Sequence, residues 1–91
     1  MAIKKAKKRG IAKGTVLVSP EERRKLVKLG KRIKEHRVER GWTLHQTEDN
    51  GFSNWTHWQY IESGKKNITF TTLVRIAKTL KIPLSELLKD I

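Results

Sequence analysis

Apolar residues in this chain recur at spacings of three and four, and nowhere over a useful length at two. That pattern selects helices and leaves no segment suited to a half-buried strand. Ser19-Pro20-Glu21-Glu22 opens the first helix. Ser19 suits the N-cap, Pro20 suits the first helical position, and Glu22 completes a capping box. The two acids also favour the positive end of the helix dipole. Leu26, Leu29 and Ile33 form an apolar stripe and Gly41 supplies a C-terminal glycine, so this helix is expected over about 20–40. Thr43 caps a short second helix over about 44–50, closed by Asn50-Gly51. Asn54 caps a third over about 55–63, closed by Gly64. Thr69 opens a fourth over about 70–80, with Phe70, Leu73, Ile76, Ala77 and Leu80 on one face. Pro83 opens a last one over about 84–89, carrying Leu84, Leu87 and Leu88. Five helices on short connections predict a compact all-α bundle.

Charge then narrows the partners. Twenty-one Lys and Arg face nine Asp and Glu among 91 residues, for a net charge of +12. The excess is uneven: residues 1–18 carry +6, residues 19–41 carry +5 and residues 42–91 carry +1. Residues 1–18 are read as a flexible basic arm, disordered over 1–14, and residues 19–91 as the folded domain. The arm either follows phosphates or is a solubilising leader; Val16-Leu17-Val18 is either a short extended piece or its anchor. A strongly basic small domain points to a polyanion, most often nucleic acid. No stretch approaches the roughly 18 consecutive apolar residues of a membrane span. The absence of cysteine excludes a disulfide framework, thiol catalysis and thiolate metal sites, and fits a reducing, cytoplasmic setting. The basic N-terminus lacks the apolar run of a secretory signal.

Three segments taken together carry a resemblance: Leu29-Gly-Lys-Arg-Ile-Lys-Glu-His-Arg-Val-Glu-Arg-Gly41, Tyr60-Ile-Glu-Ser-Gly-Lys-Lys-Asn67 and Leu73-Val-Arg-Ile-Ala-Lys-Thr-Leu80. In order and content they resemble the phage-repressor (Cro-like, XRE-type) helix-turn-helix family over about 29–89. The resemblance implies a five-helix, lambda-repressor-like bundle in which the third helix enters the major groove. The match at Ile61-Glu62-Ser63-Gly64 sets the register: Trp58 and Ile61 face inward, while Trp55, Thr56, Gln59 and Tyr60 face the groove and His57 lies near the flank. It also implies an Arg37–Glu62 ion pair holding the third helix to the first. The chain departs from the family in two places. Leu44 stands where glutamine is usual, followed by Thr47-Glu48 in place of a Leu-Ala pair, and His36 replaces a leucine. A glutamate in a close-packed slot is costly unless paired. Either the second helix is rotated so that Leu44 and Thr47 face inward, or Gly51-Phe52 reshapes the turn.

The expected DNA-binding set is Thr43, Leu44, Asn54, Trp55, Thr56, His57, Gln59, Tyr60, Ser63, Lys65, Lys66 and Asn67. Gln59 has the amide geometry to bond adenine at two points, and Thr56 suits a base or a phosphate. Tyr60 and His57 offer polar donors, with surface exposure as the alternative. Trp55 either extends the inward stripe onto the second helix and Phe52 or meets a thymine methyl or sugar. Lys65 and Lys66 suit phosphates, and Asn67 is either a phosphate contact or a turn-former. Thr43 can bond a phosphate as well as cap. Arg23, Arg24, Lys28 and Lys31 read as a solvated face of the first helix.

His36, His45 and His57 lack the spacing of a ligand pair, and no nucleophile–base arrangement stands out, so neither metal, cofactor nor catalysis is expected. The expected function is a sequence-specific DNA-binding regulator, a repressor or autoregulator, binding double-stranded DNA as a homodimer on a two-fold operator. The last helix with Ile91 either supplies the dimer contact or closes the core. The competing expectations are a bridging module that joins a transcription protein or toxin partner, and an RNA-associated binder.

Overall fold

In the computed structural model the described residues are 18–91, and the arm therefore lies outside them except for Val18. The chain forms five helices: α1 (Pro20–Glu39), α2 (Gln46–Asp49), α3 (Trp55–Glu62), α4 (Phe70–Leu80) and α5 (Leu84–Leu87). No strand occurs among the described residues.

Local chemistry sets most of the boundaries. Ser19 Oγ accepts from the Glu22 amide at 3.1 Å while the Ser19 amide donates to Glu22 Oε1 at 2.9 Å, closing the capping box of α1. At the far end the Trp42 amide reaches back to the Arg37 carbonyl and the Gly41 amide to that of Val38, a Schellman closure. Helix α4 ends the same way, but with Lys81 in the left-handed conformation at φ 60°. The second helix is shorter than the expected 44–50. Residues 44–45 form a turn, and the amides of Gln46, Thr47 and Glu48 bond carbonyls three residues back. Three-residue bonds tighten the chain and leave only Gln46–Asp49 as regular helix.

The core is Leu29, Ile33, Phe52, Trp58, Ile61, Ile76, Ala77, Leu80 and Leu87. Helix α1 packs on α3 and α5, α2 on α3, and α4 on α5. Of the two arrangements open for α2, the inward rotation occurs: Thr47 is buried, Leu44 packs against the core, and Glu48 stays exposed. Thr47 satisfies its buried hydroxyl by donating to the Leu44 carbonyl at 2.6 Å. Phe52 also enters the core and meets Trp58 edge-on at 4.9 Å.

One expectation about α4 fails. Phe70 shares the apolar stripe by spacing yet is 67% exposed. Its main partner, α5, is only four residues long and follows α4 after a three-residue turn. At 1.5 Å per residue such a helix spans about 6 Å, so it covers the C-terminal part of α4 and not its first turn. The last helix closes the core through Leu87, which is fully buried, with Leu84, Leu88 and Ile91 packed around it.

Two glycines let α1 and the end of α3 approach closely. A Cβ on Gly30 would lie 2.5 Å from the carbonyl oxygens of both Ile61 and Glu62. One on Gly64, itself at φ +74°, would lie 2.8 Å from the backbone of Val27. Both are sites where backbone meets backbone, so neither can yield by moving a flexible side chain.

Candidate nucleic-acid interface

Helix α3 is fixed to α1 through its inner face. Trp58 is wholly buried and donates through Nε1 to Glu62 Oε2 at 2.7 Å. The same carboxylate accepts from Arg37 Nε at 2.6 Å and, through Oε1, from Arg37 Nη2 at 3.2 Å. Arg37 Nη1 continues to the Trp42 carbonyl at 2.7 Å. The guanidinium thus joins the end of α1, the approach to α2 and the end of α3. Both charged groups are largely removed from water, and each is bonded at more than one atom, as a buried pair requires. The pairing takes Arg37 and Glu62 out of the surface charge.

The outer face of α3 presents Thr56, Gln59 and Tyr60 to solvent. Trp55 is half-buried and stacks on His45 of the α2 approach, ring centroids 4.2 Å apart. Of its two readings, packing onto the α2 side is therefore present, through His45, while part of the ring stays open. His57 is half-buried with its ring 6.1 Å from that of Phe52.

The N-terminus of α3 is satisfied internally. Asn54 Oδ1 accepts from the amides of Thr56 at 2.9 Å and His57 at 3.2 Å. Glu48 Oε2 accepts from the Trp55 amide at 2.9 Å. Glu48, the departure in α2, thereby becomes an anion at the positive end of α3. The sequence reading missed this role, because the acid lies seven residues before the amide it caps and only the α2–α3 turn brings the two together.

The remaining expected residues divide by what they already hold. Thr43 Oγ1 accepts from the Gln46 amide at 3.3 Å and the Thr43 amide donates to Gln46 Oε1 at 2.7 Å, a reciprocal pair that closes the turn before α2 and leaves Thr43 exposed, while the N-cap of α2 itself is His45 and not the expected Thr43. Leu44 is half-buried and packs against the core. Ser63 Oγ donates to the Tyr60 carbonyl at 2.6 Å and accepts from the Lys65 amide at 3.3 Å, so it shapes the turn after α3. Lys65, Lys66 and Asn67 are exposed on that loop, and Lys66 Nζ sits 5.8 Å from the Tyr60 ring centroid. Tyr60, Lys66 and the α3 flank thus form one surface.

The bases of α1, with Arg40 at its C-cap, do not behave as a uniformly solvated face. Arg23 donates to the Gly64 carbonyl at the end of α3. Arg40 donates to the Leu80 carbonyl at the end of α4, at 2.8 Å. Lys28 reaches the Asp90 carbonyl at 2.8 Å, Lys25 that of Ile91 at 3.2 Å, and Arg32 those of Leu87 and Lys89. These carbonyls lie at or beyond helix C-termini, the negative ends of helix dipoles. Arg24 and Lys31 remain exposed as expected.

Among the described residues no group of three or more His, Cys, Asp or Glu is placed to hold a metal ion. Among the same residues no helix is long and apolar enough to cross a membrane. A sequence model of a helix-turn-helix domain family matches residues 30–91, two-thirds of the chain. No curated protein and no solved structure matches it.

Proposed function

The chain belongs to this helix-turn-helix domain family and carries a DNA-binding domain of the kind used in transcriptional regulation, and from that premise we propose that it is a sequence-specific regulator reading a two-fold operator. The observation that carries the proposal is the two-sidedness of α3. Its inner face is locked by Trp58, Ile61 and the Arg37–Glu62 pair, while Thr56, Gln59 and Tyr60 stand exposed beside Lys65 and Lys66. A rigid helix with amide and hydroxyl groups outward suits base edges, and flanking lysines suit phosphates. The lambda-repressor-like arrangement is part of this reading. In it α3 enters the major groove, the Lys65–Asn67 loop follows the backbone, and a homodimer places two such helices about one turn of DNA apart, roughly 34 Å.

Selection from a random duplex pool tests it. The expected result is a defined inverted repeat, with Gln59→Ala relaxing preference at one base position in each half. Recovery of duplexes with no common sequence would refute the operator reading and favour a bridging module with bulk affinity. Stronger binding to structured RNA than to duplex DNA would favour an RNA-associated role.

A further inference from the structure

His45 is not among the residues expected to meet DNA, yet its ring lies on the start of α3. It stands at the N-cap position of α2, where its side chain makes no capping bond. Its imidazole packs instead on the Trp55 indole, with centroids 4.2 Å apart and planes tilted by 40°. Glu48 holds the Trp55 amide at the same time, at 2.9 Å. The first residue of α3 is thus fixed at its backbone by Glu48 and at its ring by His45. We propose that His45 sets base preference without meeting the duplex: it holds the Trp55 indole so that the open part of that ring meets a thymine methyl in the major groove. The proposal rests on the reading of α3 as the groove-facing helix and deepens it by assigning one contact and the residue that positions it.

The two tryptophans of α3 differ in what the fold leaves open. Trp58 is wholly buried and commits its indole N–H to Glu62. Trp55 is half-buried, and the hydrogen bond it donates among the described residues comes from its backbone amide. Gln59, exposed, lies one turn after Trp55 on the same side of the helix. Part of an apolar ring therefore borders an amide suited to a base edge. Residues 50–61 carry no Lys, Arg, Asp or Glu, so nothing charged on that stretch favours a phosphate over a base. Thymine is the base that shows an apolar group in the major groove, and apolar side chains read its methyl.

Such a contact depends on position. Dispersion weakens by a quarter to a half with a gap of roughly 0.5–1 Å, so an indole that turns about its side-chain bonds averages the contact away. Packed aromatic rings attract beyond the area they bury, which restricts that turning. His45 therefore acts through Trp55 as a positioning residue, and a flat ring is what the role requires.

The test measures the full-length protein by anisotropy on the pool-selected duplex and on copies with uracil in place of each thymine in turn. Uracil removes the methyl and keeps the pairing. One buried methyl corresponds to about fourfold in affinity, so wild type should lose about that much at one thymine position. Trp55→Ala should bind the thymine and uracil duplexes alike, and His45→Ala should bring their ratio close to one. His45→Phe keeps a ring on the indole and should restore the wild-type ratio. Thermal melts check that each variant folds. A role of His45 in stability alone, or a direct contact of His45 with a phosphate, would lower affinity for both duplexes and leave their ratio unchanged; that result would overturn the proposal. A wild-type ratio near one at every thymine would overturn it too. A selection that returns no common sequence refutes the operator reading alone, and the same ratios measured on alternating A·T and A·U duplexes then decide the methyl contact.

Discussion

Replacing Glu62 with alanine removes the carboxylate that anchors α3. In the native protein that group accepts from Arg37 Nε, Arg37 Nη2 and Trp58 Nε1. Alanine would leave all three donors facing a site from which water is largely excluded. Breaking a buried pair by removing one partner costs about 3–5 kcal/mol. The whole stability of a domain is about 5–15 kcal/mol, so the loss is a large share of it. At about 4–8 °C per kcal/mol for a domain of this size, the melting temperature should fall by roughly 12–40 °C. Glu62→Gln keeps a carbonyl acceptor and should lose less, about 1–3 kcal/mol. Combining Arg37→Met with Glu62→Leu should recover part of the alanine loss, because the stranded charge is gone. Recovery stays incomplete, since Trp58 Nε1 and the Trp42 carbonyl also lose their partner. Urea unfolding followed by tryptophan fluorescence measures the series. A loss below about 1 kcal/mol in Glu62→Ala would refute the reasoning, because it would show the pair behaving like a solvated surface bridge.

Three further outcomes follow from the structure. Gly30→Ala should destabilise by about 1–3 kcal/mol despite alanine's better helix propensity, because its Cβ meets two α3 carbonyls at 2.5 Å; a thermal melt at or above wild type would contradict this. Lys81→Gly should stabilise by about 1 kcal/mol by relieving a left-handed lysine at the end of α4, read as a higher urea midpoint with unchanged slope. Lys65→Ala should weaken binding to all duplexes alike and reduce the salt dependence by about one phosphate's worth, measured by anisotropy at several salt concentrations.

The helices that carry their own end signals were legible in the sequence. Ser19 with Glu22, Asn54 and Thr69 each cap the helix expected of them, because those bonds span two or three residues. The inward positions of Trp58 and Ile61 follow from spacing and register. What the sequence concealed depends on distance along the chain. The Glu48 cap on Trp55 exists only once the turn is built. The exposure of Phe70 depends on how short α5 is, which a periodic stripe does not encode. Gly30 reads as an ordinary mid-helix residue until α3 lies against it. The α1 cations looked solvated because their acceptors are backbone carbonyls up to 66 residues away, and carbonyls leave no trace in a sequence.

Helix α1 is also a keel onto which the negative tails of three other helices converge. Arg23, Lys25, Lys28, Arg32 and Arg40 are occupied there as ballast. A scan that neutralises lysines and arginines one by one, scored only by lost DNA retention, would mistake this framework for binding surface. Each α1 position in such a scan has to be paired with a melting curve, and a fall in both readings marks a loosened keel.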